Sequence, residues 1–308
     1  MKTHVILNPA SAGGKTGVEQ PHVMKALERS LGKNYSLCVT RRPLEATSST
    51  RDAITNGCEL IVAVGGDGTI QEVVNGFFSE GQLLNSSCQL AIICSGTGRG
   101  FAQSLGLPDK LDEQVEIVTD GETHSVDVGK VSFRRADGKT VERFFVNECQ
   151  AGIGGIVVKG VGTSYKRLGG LAGFGLVTLS TALHHRAQSI EVAIGEGLKI
   201  ERPLLGVVIA NGVYAGGGMC LAPHARIDDG LLDLVMIQDQ SLIQRLTNFS
   251  RIYSGRHIDS PFFSYYQGKR FRISSPEDVN LEADGELLGS LPCTVEILPR
   301  VLKIKTRK

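Results

Sequence analysis

Apolar and polar residues follow two different periods over the first 100 residues. Four short apolar or alternating runs are predicted as strands, at residues 4–7, 35–40, 60–64 and 90–94. Three longer segments between them repeat apolar residues with helical spacing, at residues 18–31, 44–56 and 69–78. Strands that alternate with helices in this way predict a parallel sheet with helices on both faces.

The pattern changes near Gly121, after which strand-like runs with turn signals dominate. These runs lie at residues 131–134, 143–147, 190–194, 205–210, 232–237, 270–274 and 294–298. Helical segments are predicted near 168–184 and 241–253. We therefore predict an α/β domain at 1–125 and a mostly antiparallel, β-rich domain at 126–297, with a cleft between them.

Composition narrows the class of protein. At 308 residues the chain exceeds the usual size of one hydrophobic core, so two domains are expected. Hydrophobic residues make up 41% and charged residues 21%, which is typical of a folded protein and not of a disordered one. The net charge of +1 gives no overall field that would attract nucleic acid, so no nucleic-acid partner is expected. Attraction to anionic lipid would have to come from local patches such as Lys166-Arg167 or the tail 303–308.

Cysteines and apolar stretches indicate the compartment. The seven cysteines include no C-x-x-C pair and no zinc-type spacing, so we expect free thiols in a reducing compartment. The first predicted strand begins at residue 4, so no signal peptide is expected. The uncharged stretch 168–183 is shorter than the run of about 18 apolar residues that a membrane span needs. We expect a soluble, cytoplasmic protein, with peripheral contact to the inner membrane face left open.

The strongest chemical signal is Gly65-Gly66-Asp67-Gly68-Thr69, directly after the apolar run 60–64. Glycines allow a sharp turn and a close approach to phosphate, and the start of the following helix attracts anions. An aspartate among such glycines repels phosphates unless it binds Mg²⁺ or accepts a proton from an attacking hydroxyl. Thr69 and Glu72 have capping-box spacing, which predicts the helix start. A plain Gly/Asp turn is the alternative interpretation.

Two further small-residue loops follow predicted strands. Residues 8–16 end like a Walker A loop, but Pro9 stands where that motif has its first glycine, so a P-loop NTPase is excluded. Residues 95–100 read Ser-Gly-Thr-Gly-Arg-Gly and precede a short predicted helix at 101–105. Loops that follow parallel strands converge at the carboxyl edge of the sheet, where such folds bind ligands. We therefore predict a phosphate-binding site at that edge.

These motifs, in this order and spacing, resemble the diacylglycerol kinase catalytic-domain family, which includes bacterial lipid kinases and sphingosine kinases. The resemblance covers nearly the whole chain. It is carried by Asn8-Pro9, Gly13-Gly14-Lys15, Gly65-Gly66-Asp67-Gly68-Thr69, Glu72-Val73-Val74-Asn75-Gly76, Ser95-Gly96-Thr97, Asp127-Val128-Gly129, Gly216-Gly217-Gly218-Met219, Ala222-Pro223, Asp228-Asp229-Gly230-Leu231-Leu232-Asp233 and Asp284-Gly285-Glu286.

The resemblance implies an NAD kinase- and phosphofructokinase-like parallel sheet in the nucleotide-binding domain, a β-rich lipid-substrate domain and an active site between them. The segment 298–308 would return to the first domain. Asp67 would act as Mg²⁺ partner or base, Asp127 would belong to the magnesium-water network, and Glu286 would be a base for the lipid hydroxyl. The implied nucleotide-side residues are Asn8, Gly13, Gly14, Lys15, Thr40, Gly65, Gly66, Gly68, Thr69, Glu72, Ser95, Gly96, Thr97, Arg99 and Asp284.

The resemblance also implies a structural metal. Asp229, with the carbonyls of Leu231 and Arg226, would hold Mg²⁺, a hard ion that prefers oxygen ligands. Without the resemblance, Asp229-Gly230 and Asp284-Gly285 are ordinary hairpin turns.

Two segments depart from the family. Residues 98–103 read Gly-Arg-Gly-Phe-Ala-Gln, where members usually have Gly-Asn-Asp-Phe-Ala-Arg. Arg99 is therefore expected to contact phosphate itself, because its planar fork of donors suits phosphate. Gly154-Gly155 stand where some members have an acid that binds the lipid headgroup, so the resemblance does not imply which headgroup this chain prefers.

The predicted reaction is transfer of the γ-phosphoryl group of ATP, with Mg²⁺, to a lipid hydroxyl, most simply that of diacylglycerol. NAD kinase is the alternative enzyme, since it shares Gly-Gly-Asp-Gly and Asn147-Glu148 is similar to its Asn-Glu pair. A non-catalytic nucleotide or lipid sensor is the alternative from another class. The expected partner is a lipid substrate at a membrane surface, although no amphipathic anchor with a strongly basic face is visible. A homodimer stays open.

Overall fold

The structure, a computed structural model, describes residues 1–95, 99–135, 137–168 and 170–307, with side chains for all of these except 161–174 and 176. The chain divides into two compact units. Unit 1 contains residues 1–127 and the segment from Arg300 onward, and unit 2 contains Val128–Pro299.

Unit 1 alternates strands and helices along the chain. Its elements are β1 (Thr3–Leu7), α1 (Lys15–Leu31), β2 (Tyr35–Val39), α2 (Glu45–Thr55), β3 (Leu60–Gly65), α3 (Asp67–Gly76), β4 (Phe78–Ser79), β5 (Gln82–Leu83), β6 (Gln89–Cys94), α4 (Gly100–Ser104) and α5 (Leu111–Asp120). A 3₁₀ helix at Ser11–Gly14 precedes α1. Strand β7 (Glu122–Arg134) begins in unit 1 and continues into unit 2.

The sheet of unit 1 is parallel, as the sequence predicts. Its order is β6-β3-β1-β2, and the end of the last strand of the chain adds beside β6, where Lys303 is paired with Gln89. The apolar runs of β1, β3 and β6 are fully buried because helices pack on the sheet, among them α1 through Val23 and Leu27. Burying each such Leu or Ile side chain stabilises the fold by about 1.5–3 kcal/mol.

Unit 2 is built mainly from antiparallel strands, which confirms the predicted class. Its elements after β7 are β8 (Thr140–Phe145), β9 (Glu148–Gly152), α6 (Ile153–Leu168), α7 (Gly170–His184), β10 (Gln188–Ile194), β11 (Leu198–Ala210), β12 (Tyr214–Ala215), β13 (Met219–Cys220), β14 (Leu232–Gln238), α8 (Leu242–Ile252), β15 (Phe263–Gly268), β16 (Arg270–Ser274), β17 (Asn280–Ala283), β18 (Glu286–Ser290) and β19 (Cys293–Thr306). The central order is β18-β17-β9-β11-β10-β16-β19, with β14 beside β11 and β15 beside β14.

Helix α6 is the main element that the sequence pattern does not predict. Its glycines lower helix propensity, so the periodicity signal is weak. The structure explains one of them: a Cβ at Gly155 would lie 2.6 Å from the Cβ of Asn280 in β17. The helix approaches this strand so closely that only glycine fits.

Within the described part of the chain, no helix is both long enough and apolar enough to cross a membrane.

Candidate active site

Three loops meet at the carboxyl edge of the parallel sheet in unit 1, after β1, β3 and β6. The amide of Ser95 donates to the carbonyl of Gly65 at 3.0 Å. Asn8 Nδ2 donates to Thr69 Oγ1 at 3.0 Å, and the hydroxyls of Thr16 and Ser95 are 2.6 Å apart. The loops that the sequence predicted to converge are therefore tied to one another by hydrogen bonds.

The first loop forms an open turn before α1. Ala12, Gly13 and Gly14 have positive φ angles of 55°, 68° and 93°. Nothing lies within 4 Å of the position that a Cβ would take at either glycine. Helix α1 begins at Lys15, whose ammonium group is exposed and 3.6 Å from Glu19. An open glycine-lined turn at a helix N-terminus is a geometry that attracts anions.

Asp67 occupies the first turn of α3 in the second loop. Its Oδ2 accepts a hydrogen bond from the amide of Gly100 at 3.1 Å, and its Oδ1 accepts one from the amide of Phe101 at 3.3 Å. Burial raises the pKa of this carboxyl group, while the two amides and the charge of Arg99 oppose that rise. The carboxylate thus links the second loop to α4.

The expected capping box at Thr69 and Glu72 is wrong. Helix α3 has Gly66 as its N-cap, without a side-chain cap, because the helix begins two residues before Thr69. The Thr69 hydroxyl instead accepts the bond from Asn8 and packs against Gly65, where a Cβ would lie 2.5 Å from it. Glycine is thus required at 65, whereas a Cβ at Gly68 would meet nothing within 4 Å.

Other predicted nucleotide-side residues take different places. Thr40 follows β2 at the same sheet edge, and its amide donates to the carbonyl of Leu7 at 2.9 Å. Glu72 is half-buried in the second turn of α3. Gly96 and Thr97 lie outside the described residues.

Arg99 has a structural role in this conformation. Its guanidinium group pairs with the carboxylate of Asp109 and donates to the carbonyls of Pro108 at 2.6 Å and Leu107 at 3.3 Å. The side chain is only 13% exposed. Arg99 therefore fastens the loop after α4, and its expected contact with phosphate stays a prediction.

Asp127 is fully buried at the end of unit 1. Its Oδ1 accepts a hydrogen bond from the amide of Arg300 at 2.6 Å. This bond joins β7 to β19 where both strands leave unit 1. A role for Asp127 in a magnesium-water network stays a prediction.

In unit 2, Asp284 anchors the hairpin between β17 and β18. Its φ of 46° is left-handed, as is the 80° of Gly285. Its carboxylate accepts three backbone hydrogen bonds, from Val146 at 2.8 Å, Asn147 at 2.9 Å and Glu148 at 3.1 Å. Both oxygens are thus used to fix the turn, and Glu286, the candidate base, follows half-buried at the start of β18.

Glu282 is a buried acid that sequence reasoning missed. Its Oε2 accepts a hydrogen bond from the amide of Gly285 at 2.9 Å, and its Oε1 is buried without a hydrogen-bond partner. Burial raises the pKa of Glu282 well above the ordinary glutamate value, and the charge of Asp284 adds to the rise. An acid between the apolar residues Leu281 and Ala283 was the available signal.

The predicted metal residues lie in the loop before β14. Asp229 is exposed, and its Oδ1 accepts a hydrogen bond from the amide of Leu231 at 3.0 Å. Arg226 is also exposed, with its Nε 3.5 Å from Asp228. No cluster of three or more His, Cys, Asp or Glu side chains that could hold a metal occurs in the described part of the chain.

Asp233, four residues after Asp229, is a buried acid next to this loop. It is fully buried, and its Oδ1 accepts from Tyr265 at 2.7 Å and Gln267 at 3.0 Å. Its Oδ2 is buried without a partner. Burial, with the charge of Asp229, raises the pKa of Asp233. The Asp229 carboxylate and the backbone carbonyls of this loop are the oxygen ligands that a hard divalent cation prefers, and the unsatisfied oxygen of Asp233 lies in β14, the strand that follows the loop.

Family comparisons agree with this arrangement. The diacylglycerol kinase catalytic domain matches residues 2–131, and the YegS C-terminal NAD kinase beta sandwich-like domain matches residues 148–306. The chain belongs to the diacylglycerol kinase family. A diacylglycerol kinase of Staphylococcus haemolyticus is 30% identical, with 99% of this chain and 88% of the relative covered. The diacylglycerol kinase of Bacillus subtilis is 27% identical, with 94% and 91% covered.

Solved structures share the fold of this diacylglycerol kinase family member. A diacylglycerol kinase from Bacillus anthracis has a TM-score of 0.71 and 22% identity, with 99% of this chain and 97% of that chain covered. Yeast NADH kinase in complex with NADH has a TM-score of 0.52 and 14% identity, with 100% and 84% covered. The family assignment makes this protein a kinase that transfers phosphate to an alcohol.

Proposed function

We propose that this kinase uses ATP and Mg²⁺ to phosphorylate a lipid hydroxyl, most directly that of diacylglycerol. The observation that carries the proposal is the meeting of three phosphate-type loops around Asp67 at one sheet edge. Relatives named diacylglycerol kinase that match almost the full chain support the acceptor.

The nucleotide phosphates would lie over the glycine turns of unit 1. Gly13, Gly14 and Gly68 leave open space where side chains would stand, so phosphate oxygens can approach the backbone. The N-termini of α1 and α3 favour negative charge at this edge. Lys15 is exposed beside the turn and adds a positive charge.

Asp67 and Asp127 are the candidate carboxylates for the catalytic Mg²⁺, which would neutralise charge on the phosphates. Each Asp67 oxygen accepts a single amide hydrogen bond and so retains acceptor capacity. Asp229, with the carbonyls of Leu231 and Arg226, would hold a structural Mg²⁺, and Asp233 in the strand that follows offers a buried oxygen without a hydrogen-bond partner.

The hydroxyl proton has two candidate acceptors. Glu286 follows a turn that is fixed by the three amide bonds to Asp284, so its backbone position is well defined. Asp67 is the other candidate. Asp284 positions the turn, since both of its oxygens are engaged by backbone amides.

The test is phosphoryl transfer from γ-labelled ATP with Mg²⁺ to mixed micelles of diacylglycerol, monoacylglycerol, ceramide, sphingosine or phosphatidylglycerol, with NAD in a parallel reaction. Label in diacylglycerol that is lost in Asp67→Asn supports the proposal. Label in NADP alone would show an NAD kinase. ATP binding without label in any acceptor would show a nucleotide sensor.

A further inference from the structure

Gln114 in α5 is a buried polar side chain that no step of the proposed function uses. It is 2% exposed, and the same helix also buries Val115, Ile117 and Val118. Burying a side-chain amide costs free energy unless its donors and its acceptor find partners. The partners of Gln114 therefore show which parts of the chain this residue holds in place.

The Gln114 side chain joins the end of β6 to the loop between α4 and α5, residues 105–110. Its Oε1 accepts a hydrogen bond from the amide of Cys94 at 2.8 Å. Its Nε2 donates to the carbonyl of Pro108 at 2.8 Å and to that of Asp109 at 3.3 Å. Both ends of the side-chain amide are thus bound to backbone groups, which fixes its position.

Arg99 contacts the same loop. Its Nη2 donates to the carbonyl of Pro108 at 2.6 Å and to that of Leu107 at 3.3 Å. The carbonyl oxygen of Pro108 has two lone pairs and so accepts from both Arg99 and Gln114. The ion pair of Arg99 with Asp109 adds less, because the Asp109 side chain is 91% exposed.

The bond to Gln114 fixes the chain where the third loop, residues 95–100, begins. Cys94 is the last residue of β6. The next residue, Ser95, donates from its amide to the carbonyl of Gly65 at 3.0 Å, and its hydroxyl is 2.6 Å from that of Thr16. Gln114 therefore holds the strand end from which Ser95 contacts the first two loops.

The bonds of Arg99 fix the chain where the third loop ends. Arg99 directly precedes α4 and has a left-handed φ of 46°. This conformation is unfavourable for a residue with a Cβ and persists only where the surrounding structure holds it. The next two residues, Gly100 and Phe101, donate from their amides to the carboxylate of Asp67 at 3.1 and 3.3 Å. The position of Arg99 thus sets the position of both amides.

We propose that Gln114 and Arg99 are positioning residues that hold the two ends of the third loop against the site around Asp67. We call these two side chains the clamp pair. The proposal rests on the proposed function, because it assumes that Asp67 acts in phosphoryl transfer. A displacement of about 1 Å at a reacting group can lower a rate on the order of a hundredfold. The clamp pair therefore affects the rate through the backbone, without touching the substrate.

Two conservative variants remove the clamp. Gln114→Met keeps the length of the side chain and suits a buried site, but it loses all three side-chain hydrogen bonds. Arg99→Lys keeps the charge and loses the planar group that reaches two carbonyls. The matched controls Gln82→Met and Arg29→Lys make the same changes at exposed positions. Circular dichroism verifies that all four variants are folded.

Amide hydrogen exchange tests the clamp pair without any acceptor. In Gln114→Met, the amides of Cys94, Gly100 and Phe101 should exchange at least roughly tenfold faster than in the wild type, while those of β1 keep the wild-type rate. In Arg99→Lys, only the amides of Gly100 and Phe101 should exchange faster. Both controls should match the wild type.

Steady-state kinetics separate positioning from ATP binding. Gln114→Met and Arg99→Lys should each lower kcat roughly tenfold to a hundredfold, with a much smaller change in KM for ATP. Because both side chains bind the carbonyl of Pro108, the double variant should have a kcat close to that of the slower single variant.

Three results would overturn the proposal. One is a kcat of Gln114→Met within about twofold of that of Gln82→Met. Another is faster exchange throughout unit 1, with β1 included, since this would show that Gln114 only stabilises the fold. The third is a raised KM for ATP with unchanged kcat in Arg99→Lys, which would show that Arg99 binds phosphate directly.

Failure of the proposed function gives a different result. If the wild type labels no acceptor while the exchange results hold, phosphoryl transfer to a lipid is disproved. The role of the clamp pair in holding the amides of Gly100 and Phe101 then stands.

Discussion

The amide of Gly100 donates a hydrogen bond to Oδ2 of Asp67 at 3.1 Å. Gly100 stands in the segment that departs from the family, where members usually carry an acid. The contact to Asp67 comes from the backbone of that segment, so it does not need the replaced side chains. The segment therefore still donates a backbone hydrogen bond to the carboxylate that we place at the catalytic centre.

Asp67→Asn should abolish phosphoryl transfer and leave the fold intact. The side-chain oxygen of the new Asn can still accept one of the two backbone hydrogen bonds, and removal of a buried charge offsets the loss of the other. We expect activity to fall at least roughly a hundredfold, with little change in melting temperature. The exposed residue Asp52 provides the matched control, Asp52→Asn, which should retain full activity. Near-native activity of Asp67→Asn would remove this residue from the mechanism.

Gly65→Ala and Gly68→Ala should fail in different ways. A Cβ at Gly65 would lie 2.5 Å from the Thr69 hydroxyl, so we expect a loss of roughly 1–3 kcal/mol in the free energy of unfolding. A Cβ at Gly68 meets nothing, and Ala favours a helix, so stability should be unchanged or slightly higher. The new methyl group would occupy space that the phosphates need, and KM for ATP should rise. Urea unfolding and steady-state kinetics distinguish the two effects. An unchanged KM in Gly68→Ala would argue against phosphate at this turn.

Asp284→Ala should destabilise unit 2. The change leaves three backbone amides without their acceptor, and we expect a loss of about 2–4 kcal/mol. Asp284→Gly removes the same carboxylate but tolerates the φ of 46°, so it should be more stable than the Ala variant by about 1 kcal/mol. The control is Asp278→Ala at an exposed position. Equal stability of wild type and Asp284→Ala in urea would contradict the anchoring role.

Glu282→Gln should remove a pH dependence of stability. The folded-state pKa of Glu282 is raised by burial, so the folded protein holds this proton more tightly than the unfolded chain. The resulting stability is fully present below the ordinary glutamate pKa of about 4.3 and is lost as the pH rises towards the raised value. The melting temperature of the wild type should therefore fall from about pH 5 to about pH 8.

The Gln variant keeps an acceptor for the amide of Gly285. Its melting temperature should change less with pH over this range, and it should be more stable than the wild type near pH 8, at about the raised pKa of Glu282. Glu201→Gln, at an exposed strand position, should follow the wild type. If the melting temperatures of wild type and Glu282→Gln change with pH in the same way, Glu282 does not titrate in this range.

Much of unit 1 could be predicted from the sequence. The apolar runs of β1, β3 and β6 report burial on both faces, and each is followed by a glycine-rich loop, so the sheet and its ligand edge were both predicted. The predicted start of α3 at Thr69 was wrong, because a capping box is a local pattern. The Thr69 hydroxyl instead accepts a hydrogen bond from Asn8, 61 residues away.

Fewer features of unit 2 could be predicted from the sequence, because contacts between distant residues determine them. Asp284 is bound by amides up to 138 residues earlier, and no local pattern distinguishes this from a hairpin turn. Glycine-rich α6 forms because it packs closely on β17, which overrides its low helix propensity.

Hydrophobic periodicity and turn residues are enough to predict the parallel α/β unit, the β-rich second unit, the phosphate-type loops and a helix near 241–253. Periodicity shows that a helix has an apolar side, because the spacing of side chains depends only on local geometry. It does not show whether that side faces the core or the solvent. Packing against distant parts of the chain sets this orientation: Asn248 and Arg245 hold α8 to the protein, while Ile243 and Leu246 face outward.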